Sequence, residues 1–199
     1  NFKSLSGLLV LLTIFVTVVA CTFPEMDPAY EVWAVDQSGT VSDGTGGLLY
    51  IWDGEDIFLK DAKKAKPEII DLAKAAKDAN CDAPKKPHMI LSNYTTPKAS
   101  HVILANVGSG NTFFIDIASR AIVGCVNTIG GFNGAGGTTN AHASVASPDN
   151  SMAIVANIGA KDESGFLHKI QTNYTSDDYK LVETLALDQF SSDLGTAVA

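Results

Sequence analysis

The chain has 199 residues, 46% of them hydrophobic and 18% charged, with a formal net charge of −8 at neutral pH. An acidic surface repels phosphate backbones, so a nucleic-acid partner is not expected. No Cys-x-x-Cys-His, Gly-x-Ser-x-Gly or His-Glu-x-x-His pattern occurs, so haem attachment and two common hydrolase types lack their sequence signals.

The first element in chain order is an apolar run from Leu8 to Val19, preceded by a short stretch carrying Lys3. That is the order of a secretory signal. The run is shorter than the ~20 residues a helix needs to span a bilayer, and no positive stop-transfer cluster follows it. It is expected to be removed.

At the end of the run stands Val18-Val19-Ala20-Cys21, which resembles the lipobox of bacterial lipoproteins. The resemblance implies that residues 1–21 are a signal peptide and that Cys21 becomes the acylated N-terminus. Its acyl chains, each contributing roughly 0.8 kcal/mol per buried methylene, would hold a soluble domain on a membrane without a spanning helix. Thr22 replaces the aspartate associated with inner-membrane retention, so an outer-membrane lipoprotein facing the periplasm or the cell surface is expected. Residues 22–29, with Pro24 and Pro28, form a short linker. Cys81 and Cys125 would then lie in an oxidising compartment, where a disulfide and a pair of free thiols both stay open.

From residue 30 onward, short β-rich segments alternate with Gly, Asn and Asp turns, the pattern of many short strands. Two stretches align. One runs from His88 through Val102-Ile103-Leu104-Ala105-Asn106-Val107-Gly108 to Phe113-Phe114-Ile115-Asp116-Ile117. The other runs from His142 through Ala153-Ile154-Val155-Ala156-Asn157-Ile158-Gly159 to Phe166-Leu167-His168-Lys169-Ile170. The asparagines are 51 residues apart. A weaker copy covers Tyr30 to Gln37 and Gly47 to Gly54, with Asp36 at the asparagine position and Asp53 matching Asp116. Four strands in a unit of this length make one propeller blade. The segment between Lys60 and Lys86 fits less well. Pro67 to Leu72 reads as a blade's outer strand followed by a long loop, against the alternative of a helix opened by Pro67.

Ser147-Pro148-Asp149-Asn150 leading to Ile154-Val155-Ala156-Asn157, and Gly108-Ser109-Gly110-Asn111 leading to Phe114-Ile115-Asp116-Ile117-Ala118-Ser119-Arg120, resemble the two halves of the YVTN-type β-propeller repeat. The pattern departs from that repeat at Asp36 and Gln37, and at the longer turn from Asn93 to Ser100. The resemblance implies an all-β fold of blades with four antiparallel strands, about three of them in residues 30–199. Propellers of this family usually have seven blades. Three cannot close a ring, and the chain begins with Asn1 rather than methionine, so a partial propeller from a longer protein is expected.

In such folds the loops entering the innermost strands surround the mouth of the channel. His88 and His142 take that position in successive units, where imidazoles could bind copper, zinc or iron. The alternative is that each histidine plugs its blade junction with a hydrogen bond. His101 and His168 fall within strands and read as cross-strand packing residues. The glycine-rich loop from Gly130 to Asn140 lacks the lysine of a phosphate-binding loop and opens no helix, so it reads as a connector. Two functions follow. The first is a membrane-tethered scaffold or binding module for a protein or small ligand, with no catalytic residues. The second is a transition-metal-dependent periplasmic oxidoreductase using His88 and His142.

Overall fold

The computed structural model describes residues 30–58, 62–94, 98–159 and 164–188. Cys21, the signal segment and the linker lie outside the described residues. The described chain is nearly all β, in three antiparallel sheets. The first sheet holds β1 (Glu31–Asp36), β2 (Leu48–Asp53) and β3 (Glu68–Asp71) in that order. The second holds β4 (Pro87–Ser92), β5 (His101–Asn106), β6 (Asn111–Asp116) and β7 (Ile122–Asn127). The third holds β8 (Ala141–Ala146), β9 (Met152–Asn157), β10 (Phe166–Asn173) and β11 (Asp178–Ala186). Each is a meander of neighbours in sequence, which is the blade arrangement, and the fold is propeller-like.

The hydrophobic pattern explains why the sheets stack face to face. Every residue of β5, and all but the last of β6, is buried. Val102, Leu104, Phe113 and Ile115 point into a core shared with Leu49, Ile51 and Leu72 of the first sheet. Their neighbours Ile103, Ala105 and Phe114 point the other way, into a core with Ala141, Ala153, Val155 and Ile170 of the third. A sheet covered on both faces needs a continuous apolar run, and these strands supply one. β9 alternates buried with half-buried residues, as one covered face requires.

The first sheet differs from the four-stranded blade expected for every unit. Glu31 pairs with Asp53 as His101 pairs with Asp116, so β1 and β2 correspond to the second and third strands of the next blade. Among the described residues no innermost strand lies beside β1, where β4 flanks β5 and β8 flanks β9.

The loop expected after the first blade's outer strand is instead a helix. The strand expectation holds for β3, and α2 (Leu72–Asp78) starts at once, following the short helix α1 (Gly54–Phe58) that comes after β2. Asp71 ends the strand and caps the helix, accepting from the backbone N–H groups of Ala73 and Lys74 at 2.9 and 3.1 Å. Leu72 and Ala76, four residues apart, bury one face. The cap together with an apolar stripe outweighed the loop reading, which weighed repeat register alone. Beyond α2, Cys81 and Cys125 are joined by a disulfide bond that ties this connection to β7. Among the described residues no helix is long and apolar enough to cross a membrane.

Candidate functional site at the ends of the innermost strands

β4 and β8 begin the second and third blades, and they pack against one another. Each carries an irregularity at its second residue. In β4, Pro87 pairs with Asn106 and Met89 with Ala105, so His88 is the extra residue of a bulge. In β8, Ala141 pairs with Asn157 and Ala143 with Ala156, so His142 is the extra residue of an equivalent bulge. A bulge releases its residue from the pleat and re-aims the side chain, here at the same point in both blades. The two imidazoles meet with Nε2 atoms 2.9 Å apart and ring centroids 4.3 Å apart.

The first blade contributes a third group. Gln37, directly after β1, places its amide nitrogen against Nδ1 of His88. With that amide donating, His88 carries its proton on Nε2 and donates it to Nε2 of His142. Three successive blades thus deliver one hydrogen-bonding side chain each to one place. Gln37 was not singled out as a site residue in the sequence, although the departure from the repeat at Asp36 and Gln37 marks it.

Whether the pair fits a metal is a matter of distances. Two nitrogens bound to one tetrahedral zinc at about 2.0–2.1 Å lie roughly 3.3 Å apart, and 2.9 Å corresponds to an angle near a right angle. His88 and His142 could therefore occupy adjacent corners of a square-planar or octahedral ion. Among the described residues no third His, Cys, Asp or Glu joins them. The described chain supplies two donors, fewer than a tight site needs.

His101 and His168 lie elsewhere and inside the sheets, at 4% and 0% exposure. His168 Nδ1 meets the Thr184 hydroxyl at 2.8 Å, whereas its Nε2 is buried with no partner, and burial holds its pKa below the ordinary value. The glycine-rich connector is tied down at the third blade, where the Phe132 N–H donates to the Thr184 hydroxyl at 2.8 Å.

At the opposite strand ends the blades are joined by paired turn residues. The β6–β7 turn places Arg120 against Glu31 and Glu68 of the first blade, with its guanidinium carbon 5.1 Å from the Trp33 ring centroid. The hydrogen bond from Arg120 holds the Glu31 carboxyl below its usual range. The corresponding β10–β11 turn places Asp177 against His101 of the second blade, 3.2 Å from its Nε2. Glu31 and His101 are each the first residue of a corresponding strand. One junction position therefore carries an arginine–glutamate pair in one case and a histidine–aspartate pair in the other.

No protein-family model matches the chain, and no curated protein matches it in sequence. Among solved structures, the X-ray structure of a hypothetical selenium-binding protein from Sulfolobus tokodaii is similar, with a TM-score of 0.57 and 15% identity over 82% of this chain and 40% of that one. A protein from Lactobacillus plantarum aligns over 82% of this chain and 43% of its own, with 16% identity and a TM-score of 0.47. The chain spans less than half the length of either. The first likeness supports the propeller-like fold.

Proposed function

We propose that this chain is part of a membrane-tethered, extracytoplasmic β-propeller of the YVTN type that binds a protein or small ligand where Gln37, His88 and His142 converge. The observation that carries this reading is the pair of matched bulges at His88 and His142. A bulge interrupts the ladder, and two at equivalent positions, both turning an imidazole towards a neighbouring blade, are better accounted for by a shared site than by two separate packing needs. The amide and the two imidazoles suit a ligand offering both donors and acceptors.

The binding reading is tested by a photo-crosslinking amino acid placed at Gln37 in cells. A discrete adduct that disappears in the His88→Ala, His142→Ala background supports it. Adducts unchanged by those substitutions refute it. The tether is tested separately by palmitate labelling, which should be lost in Cys21→Ala; equal labelling would remove it.

A second reading is a metal-dependent oxidoreductase in which the two converging Nε2 atoms, once the proton shared between them is lost, are two ligands of a transition metal. Elemental analysis decides between the two. Stoichiometric copper, zinc or iron that falls in His88→Ala supports the second, and metal content indifferent to both histidines removes it.

A further inference from the structure

Five residues along β4 from His88, roughly 16 Å at the strand rise, the chain reaches Asn93 and a groove of about 500 Å³ between the second and third blades. Asn93, Ser100, Asn150, Gln171, Tyr174 and Thr175 are among the residues lining it. Ser100 lines the groove, and its hydroxyl lies 2.8 Å from Nδ1 of the buried His101, whose Nε2 lies 3.2 Å from Asp177 and 3.9 Å from Asp116. A carboxylate on Nε2 keeps the proton there, which leaves the Nδ1 lone pair free to accept from the serine. This is the order of groups in which a base activates a hydroxyl and a carboxylate orients the base.

Two further features set this apart from a blade-to-blade tie. The preceding junction uses Arg120 and Glu31 at the corresponding positions, an ion pair that joins blades without an imidazole. Here the pair is replaced by His101 and Asp177 beside a serine, and a groove opens at that serine. The second feature is Asn93, which is 3% exposed. Its Oδ1 accepts from the backbone N–H groups of Ser100 and His101 at 3.1 and 3.0 Å, which fixes the amide orientation and turns Nδ2 to within 3.1 Å of the Ser100 hydroxyl. That amide donates to the Ser100 oxygen and so fixes the hydroxyl beside His101 Nδ1.

We infer that Ser100, His101 and Asn93, with Asp177 positioning the histidine, form an acyl-transfer site that hydrolyses small esters of polar, uncharged alcohols. The Ser100 oxygen attacks the ester carbonyl carbon while His101 Nδ1 takes its proton. The tetrahedral intermediate collapses with cleavage of the carbonyl–alkoxy bond, and the leaving alcohol receives the proton from His101. Water, deprotonated by the same nitrogen, then attacks the acyl-serine, releasing the carboxylic acid and restoring Ser100. The amides and hydroxyls lining the groove hydrogen-bond a polar alcohol. The Asp149 carboxylate at the rim repels anionic substrates.

A biotinylated fluorophosphonate is the direct probe, since it reacts only with an activated serine hydroxyl. Mass spectrometry of the labelled protein should place the adduct on Ser100, and Ser100→Ala, which removes a single oxygen, should lose at least tenfold of the labelling with its melting midpoint unchanged. With 4-nitrophenyl acetate, Asp177→Asn should lower kcat at least tenfold and leave KM unchanged, the split expected of a residue that orients the base. Absence of an adduct on Ser100 in the wild-type protein, or labelling that persists in Ser100→Ala, overturns the proposal.

Discussion

His168 is a neutral imidazole sealed inside the third blade. Its burial disfavours the charged form, so the folded state binds fewer protons than the unfolded chain once the pH falls below about 6.5. The contribution of this residue is therefore complete above that value and is lost as the pH drops towards its depressed folded pKa. Denaturant titrations from pH 7.5 to 5 should show stability falling with acid, and the fall should be shallower in His168→Gln, whose amide carries no charge. At the surface, the Ser147 hydroxyl and then the Ser151 backbone and hydroxyl hold the Asp149 carboxyl down at about 2, so the turn they build keeps its charge through that acid range. Arg120 touches two carboxylates and the Trp33 face. Arg120→Met should cost about 1 kcal/mol in chemical denaturation, because the pairs are partly solvated, and high salt should shrink the difference.

Among the elements, α2 owes its start to a single carboxylate. Asp71→Ala removes the acceptor for two backbone N–H groups and should destabilise the protein by about 1 kcal/mol, with faster amide exchange concentrated at Ala73 and Lys74. That helix was only half visible in sequence, because the repeat register and the helix propensity competed for the same residues and each governed a different part of them. β6 shows the opposite case. Its run Phe113-Phe114-Ile115 is apolar without alternation, and each of its two phenylalanines serves a different core. Phe114 stacks on Tyr179 of the third blade at 3.9 Å between centroids, and Tyr179 in turn covers Gly124, where a β-carbon would come within 2.2 Å of the ring. Phe114→Ala should cost about 3–5 kcal/mol by denaturant unfolding, since the stacked ring cannot follow the lost volume.

For the molecule as a whole, the disulfide between Cys81 and Cys125 closes a separation of 44 residues and joins the first inter-blade connection to the outer strand of the second blade. Cys81→Ser with Cys125→Ser should lower stability by about 2–4 kcal/mol, and dithiothreitol should do the same to the wild type but not to the double variant. The sequence by itself determined the repeat, the strands within it and the all-β architecture, because alternation, apolar runs and turn residues are local properties that a period of 51 residues repeats. It also placed His88 and His142 at one position in successive units. Only the tertiary structure showed what surrounds that position. A bulge exists only between paired strands, so the turning of both imidazoles to 2.9 Å, the arrival of Gln37 from a third blade, and the alignment of Ser100, His101 and Asp177 across a blade junction depend on distances between segments that no local pattern encodes.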